Sequence, residues 1–163
     1  MKLIDKKRRI ENKTNYLKRR RLLESKNPRI IIRKTNRYII FQYVETKIAQ
    51  DKVKFMLTSK ALINYGWPKE KEGSLKSLGA SYLTGMLFGK LIKNEKPAII
   101  DTGLIRNTKG SKIHAGIKGM IDSGVKLSHN TAMFPEEKRI NSENIKEFFE
   151  KVKSKITKGE LKQ

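Results

Sequence analysis

The chain has no cysteine among its 163 residues. Disulfide staples, thiolate zinc sites and thiol nucleophiles are excluded together, and a reducing compartment fits. Histidine is nearly absent as well: His114 and His129 stand fifteen apart with no cysteine to help them hold zinc. No run approaches the roughly 20 apolar residues of a membrane span, and the N-terminus lacks the apolar stretch of a secretion signal. Acidic residues are scarce, with 16 Asp and Glu against 38 Lys and Arg. These shortages predict a soluble, cytoplasmic protein without thiol chemistry or a zinc site. The length still suffices for one hydrophobic core.

Positive charge is what the chain has in excess, and its formal +22 is far beyond what solubility needs. Such a field recruits polyanions. Residues 1–37 hold 15 of the basic residues and only 3 acidic ones, so the N-terminal quarter carries over half of the excess. A membrane surface also attracts cations, but "KKRRIENKTNYLKRRRLLES" has too few apolar residues to lie in one. Nucleic acid is the expected partner.

Residues 1–13 read as a charged arm that orders on its target. Thr14 or Asn12 then caps a helix running to about Ser25, from which Arg19, Arg20 and Arg21 point in three directions. Two β-rich runs follow, "RIIIR" and "RYIIFQYVETKI", joined by the turn "KTN". Alternation puts Arg29, Ile31 and Arg33 on one face and Ile30 and Ile32 on the other. "AQD" turns into a third strand, "KVKFMLT", in which Val53, Phe55 and Leu57 alternate with Lys52, Lys54 and Met56. From Ser74, its cap, to about Asn94 the period becomes helical, with Leu75, Leu78, Tyr82, Leu83, Met86 and Leu87 in one stripe. Ser81, Gly85 and Gly89 form a small-residue ridge suited to close packing on the sheet. "AIID" is a short buried strand, and Ser111 to Ser123 a second helix with Ile113, Ile117, Met120 and Ile121 inward. A last helix starts near Ser142, with Ile145, Phe148, Phe149, Val152 and Ile156 in register, and "TKGELKQ" frays. The sum is an α/β fold: a three-stranded antiparallel meander plus a crossover-connected strand in one mixed sheet, with packed helices.

The loop "RNTKGSKIHAGIKG" raises the question of nucleotide chemistry. A phosphate-binding loop of the NTPase kind needs GxxxxGK[ST], whereas Gly103 and Gly110 are seven apart and the order is Gly110-Ser111-Lys112. A helix N-terminus flanked by Arg106, Lys109 and Lys112 still suits a nucleic-acid phosphate, and a plain solvated loop stays open beside that reading. Asp101, with Asp51, Glu95 and Asp122, is the only candidate set for a metal-dependent nuclease, and a strand-ending acceptor is the plainer role. His114, Lys118 and Asp122 share a polar helix face. Trp67 suits a core anchor. Tyr38 and Tyr43 face opposite ways, one inward and one free to stack on a base.

Taken in order, "RRIENKTNYLKRRRLLES", "PRIIIRKTNRYIIFQ", "YGW", "ASYLTGMLFGK", "IIDTGL", "GSKIHAGIKGMIDSGVKLSHN" and "FPEEKRINSENI" resemble the large-subunit ribosomal proteins that bind 5S rRNA, the L-eighteen type in its archaeal form. The resemblance runs from about residue 8 to residue 150. It implies a non-enzymatic protein of the central protuberance that anchors 5S rRNA to the large-subunit rRNA beside neighbouring ribosomal proteins, on a ribonuclease-H-like translational fold. Residues 1–27 would be a basic RNA-binding extension and 28–163 one α/β domain. The family's N-terminal contacts fall on Arg8, Arg9, Lys13, Thr14, Tyr16, Arg19 and Arg21, with Arg20 beside them. Its basic hairpin falls on Arg29, Arg33, Lys34, Asn36 and Arg37, and its glycine-lysine loop on Lys109, Gly110, Ser111 and Lys112, with Arg106 adjacent. The alternatives left by the residues alone are the nuclease and a non-specific nucleic-acid binder.

Overall fold

Alternation in the first apolar run sends Ile30 and Ile32 wholly inside, and this run forms β1, Arg29–Lys34. The computed structural model describes residues 6–48, 50–142 and 145–158. The first five residues of the expected arm, Ala49 of the expected turn and the last five of the tail lie outside the described residues. β1 pairs antiparallel with β2, Ile39–Lys47, which pairs antiparallel with β3, Gln50–Thr58. On its other side β1 runs parallel to β4, Ile99–Asp101. The order is β3-β2-β1-β4, the expected meander plus crossover strand.

Two details of the meander differ from expectation. Gln50 and Asp51 already pair with Lys47 and Thr46, so these two residues of "AQD" belong to the strand and not to the turn. A bulge then breaks the alternation, because Phe55 opposes Tyr43 while Val53 opposes Val44. The extra residue, Lys54, moves Val53 to the face opposite Phe55 and leaves it 48% exposed.

The crossover is α3, Leu78–Ile92, which starts three residues later than expected. Ser77 is its cap, accepting from the Ala80 N–H at 3.2 Å. Ser74 instead accepts from Trp67 Nε1 at 3.2 Å. This donation, with Phe148 edge-on to the indole at 4.8 Å, makes Trp67 a core anchor. Burial of α3 is nearly all round, since the sheet and α4, Lys112–Asp122, cover one side and α6, Lys146–Lys158, covers the other. α6 keeps the expected register, with Phe149, Val152 and Ile156 inside; it is described from Lys146, and residues 143 and 144 of the expected start lie outside the described residues.

The small-residue ridge of α3 meets α4 and not the sheet. A Cβ on Gly85 would stand 2.1 Å from the Gly116 carbonyl oxygen, and one on Gly119 would stand 2.1 Å from that of Tyr82. The two backbones touch. Glycine on α4 also admits the sheet: the Phe41 ring reaches within 2.5 Å of where a Gly116 Cβ would be. Lys90 then ties α3 to the end of α6, donating to the carbonyls of Ile156 and Thr157.

With α3 and α4 on one face, the other face of the sheet presents Arg29, Ile31 and Arg33 of β1, Gln42 of β2 and Met56 of β3. On this side stand the N-terminal elements α1, Lys7–Ile10, and α2, Tyr16–Glu24, neither with a buried residue. Asn15 caps α2, in place of Thr14 or Asn12, by accepting from the Lys18 N–H at 3.0 Å. No helix among the described residues is long and apolar enough to cross a membrane.

Candidate nucleic-acid interface

β4 ends at Asp101, and the chain turns through Gly103 at a φ of +60° that favours glycine. Against this turn stand the start of α2 and the end of β1. Between them lies a cleft of about 410 Å³ lined by Arg8, Lys13, Lys18, Arg19, Arg33 and Lys34, with Thr14 and Asp101. Most of its cations are held in place. Arg8 Nε donates to the Thr14 hydroxyl at 2.9 Å, Lys18 Nζ to the Gly103 carbonyl at 2.9 Å, and Arg33 to the Asp101 carbonyl at 3.0 Å.

A second cleft of about 440 Å³ is lined by Lys34, Arg106, Gly110, Ser111, Lys112 and Arg139. Lys34 and Ile105 border both clefts, so the two make one basic strip. Here the chain enters α4. Gly110, at φ +67°, leaves room for Arg139, whose Nη1 lies 2.7 Å from where a Cβ would be. Ser111 caps the helix by accepting from the His114 N–H. The free N–H groups and dipole of that first turn favour an anion. Burial, then the like charges of Lys34 and Lys76, push the Lys112 ammonium below the ordinary lysine value. The side chains of Lys34, Arg106 and Lys112 have no hydrogen bond or ion pair among the described residues.

A bound phosphate would favour charged Lys112 and reverse this shift. Affinity for RNA is therefore expected to fall on raising pH through the depressed Lys112 value, before the exposed lysines titrate, and Lys112→Arg should move that fall to higher pH. Binding isotherms across the alkaline range measure it; a profile identical for the two proteins would contradict the assignment.

Arg29 is a correction to the contact set. Its side chain is 1% exposed, because it donates to Asp51 at 2.6 Å and to Asp101 at 3.2 Å. It braces the sheet and is not available to RNA. Arg29→Met leaves two carboxylates without their buried cation and is expected to cost about 3–5 kcal/mol in urea unfolding. Asp51 is buried in part, which raises its pKa, but hydrogen bonds from Thr46, Arg19 and Arg29 and the Arg29 charge hold it below the usual carboxylate value. Its contribution to stability is present above the unfolded value, about 3.9, and is lost as pH falls through the lower folded one.

The remaining predicted residues spread around this strip. Arg9 and Tyr16 line a hollow with Leu17 and Leu104. Arg20, on the exposed side of α2, pairs with Glu24 at 2.9 Å, and Arg21 is exposed. Asn36 and Arg37 in the β1–β2 turn, and Lys109 before α4, are exposed and line neither cleft. Tyr43 is the inward tyrosine, and the Tyr38 hydroxyl donates to Glu72, so neither is a free platform. The polar face of α4 divides its partners: His114 meets Asn107 at 2.6 Å, Lys118 meets Glu137 at 3.1 Å, and Asp122 accepts from Tyr82 at 2.7 Å.

The carboxylates a nuclease would need are engaged by cations, Asp51 and Asp101 by the shared Arg29 and Glu95 by Lys54 at 2.6 Å. Among the described residues no group of three His, Cys, Asp or Glu comes together to hold a metal. Lys18 and Arg139 join the strip beyond the residues that the sequence singles out. Lys18 sits beside the "RRR" run and is legible there; Arg139 reaches Gly110 only through the fold.

The family profile described as ribosomal large subunit proteins 60S L5, and 50S L18 matches residues 3–98. A large ribosomal subunit protein uL18 of Korarchaeum cryptofilum is 43% identical over 148 residues, 90% of this chain and 74% of that protein. The protein of the same name from Methanothrix thermoacetophila is 38% identical over 144 residues, 87% of this chain and 83% of its own. That of Aeropyrum pernix is 37% identical over 150 residues, 90% and 68% of the two chains. With the basic strip, the mixed sheet and these relatives in agreement, the chain belongs to the family of large-subunit ribosomal proteins 60S L5 and 50S L18, which are constituents of the ribosome and not enzymes.

Proposed function

We propose that this protein binds 5S rRNA along the basic strip and anchors it to the large-subunit rRNA in the central protuberance, beside neighbouring ribosomal proteins. The observation that carries the proposal is Lys34, which borders both clefts and joins the N-terminal cations to the α4 N-terminus. Lysine and arginine displace counterions from phosphates, which makes binding strong and salt-dependent. Fixed cations at several points of a rigid surface select a folded RNA by shape. In this account residues 1–27 are the RNA-binding extension, 28–163 are the α/β domain, and the layered sheet is of the ribonuclease-H-like translational kind.

Because the chain has no cysteine, a single Lys34→Cys change gives a unique attachment point for a hydroxyl-radical-generating chelate. Cuts clustered in one region of bound 5S rRNA, and far fewer from the same probe at Lys151→Cys on α6, are expected. Equal or scattered cutting from both positions would refute the placement.

A further inference from the structure

A surface that binds polyanions is weakened by carboxylates, since each repels the phosphates that the cations attract. Asp51 and Asp101 nevertheless stand among Arg19, Arg29 and Arg33. Asp51 Oδ2 accepts from Arg19 Nη2 at 2.9 Å, while its Oδ1 accepts from Arg29 Nη2 at 2.6 Å and from the Thr46 hydroxyl at 2.9 Å. Arg29 also donates to Asp101, whose Oδ1 accepts the Gly103 N–H at 2.7 Å. The Gly103 carbonyl in turn accepts from Lys18. Two successive residues of α2 are thereby tied to the sheet and its β4 turn, and a strand carboxylate stands behind each tie.

Helix α2 needs those ties. Its nine residues are too few to hold a helix alone in water. It contains no buried residue, and only the half-buried Tyr16, Leu22 and Leu23 offer apolar contact. We infer that Asp51 is a positioning residue for RNA binding: by fixing Arg19 it keeps α2 docked on the sheet before RNA arrives, and so removes an ordering cost from association. The inference deepens the 5S rRNA reading and rests on it for affinity, though not for the docking itself.

Charge and position predict opposite signs for one substitution. As a mere surface acid, Asp51 would oppose RNA, and Asp51→Asn would tighten binding. As a positioning residue it must do the reverse, and Asp51→Asn is expected to weaken 5S rRNA binding about tenfold although the protein becomes more positive. In the free protein, amides of residues 16–24 should exchange faster while those of α3 keep their protection. Asp51→Glu should recover part of both effects. In an Arg19→Ala background Asp51→Asn should weaken binding no further, because its route to RNA is already cut. Arg19→Ala leaves the Arg29–Asp51 pair whole, so it tests the docking even where Asp51→Asn fails to fold, and it too must speed exchange in α2. Unchanged α2 exchange in Arg19→Ala, or equal or tighter RNA binding by folded Asp51→Asn, would overturn the inference. Exchange is measured without RNA, so failure of the wild-type protein to recognise 5S rRNA would be seen separately.

Discussion

Replacing Lys34, Arg106 and Lys112 together by alanine is expected to weaken binding to folded 5S rRNA by about 100-fold or more near physiological salt. The three border the second cleft, and Lys34 also borders the first. Their side chains have no hydrogen bond or ion pair among the described residues, so their loss strands no buried charge. Removing Lys34 and Lys112 relieves a like-charge repulsion that adds to burial in holding the Lys112 pKa down. Thermal stability should thus hold or rise slightly while affinity collapses. The slope of log affinity against log salt should also become shallower by about 2 to 3, near one unit per lost phosphate contact. The choice matters, because neutralising Arg19, Arg20 and Arg21 together would mix effects: Arg19 holds α2 to Asp51, Arg20 pairs with Glu24, and only the Arg21 side chain has no hydrogen bond or ion pair among the described residues. Unaltered affinity in the Lys34, Arg106 and Lys112 variant would place the RNA elsewhere on the molecule.

The second large effect is on folding. Gly85→Ala puts a methyl group 2.1 Å from the Gly116 carbonyl oxygen, where the neighbour is helix backbone and cannot rotate away. α3 and α4 must separate, and the separation propagates, because Gly119 packs on the Tyr82 carbonyl and Gly116 on the Phe41 ring. Alanine's better helix propensity returns about 1 kcal/mol. Overpacking against a rigid wall exceeds that, and a net loss of about 2–4 kcal/mol is expected from the urea midpoint. Against a domain stability of about 5–15 kcal/mol this is a large share. Gly73→Ala is the matched control, since nothing lies within 4 Å of its Cβ position and its stability should not fall.

Local pattern made much of this molecule legible before any coordinates. Ile30 and Ile32 alternate with Arg29 and Arg33, and the inward pair is the core. Phe149, Val152 and Ile156 repeat at the helical period, a property of a few adjacent residues, whereas the caps shift by one to three positions, to Asn15 from Thr14 or Asn12 and to Ser77 from Ser74, because several hydroxyl and amide side chains compete near each helix start. What escaped depends on partners distant in sequence. Alternation alone puts Arg29 on the outer face, yet Asp51 and Asp101, 22 and 72 residues away, close over it. The Ser81, Gly85 and Gly89 ridge predicts close packing on the sheet, but small residues announce only close approach, and it is α4 that arrives. A bulge at Lys54 reverses Val53 with no mark in the residues themselves. The candidate site divides the same way: its cations stand in the sequence, but the meeting of Lys34 with Lys112, and of Arg139 with Gly110, belongs to the fold.

The central claim is selective holding of one folded RNA, and the most direct test titrates the protein against 5S rRNA and a length-matched folded control at several salt concentrations with magnesium present. The account predicts a steep salt dependence for both, a clear preference for 5S rRNA that survives near-physiological salt, and RNA recovered intact. Equal affinity for the two RNAs at every salt concentration would contradict it, leaving a generic polyanion binder.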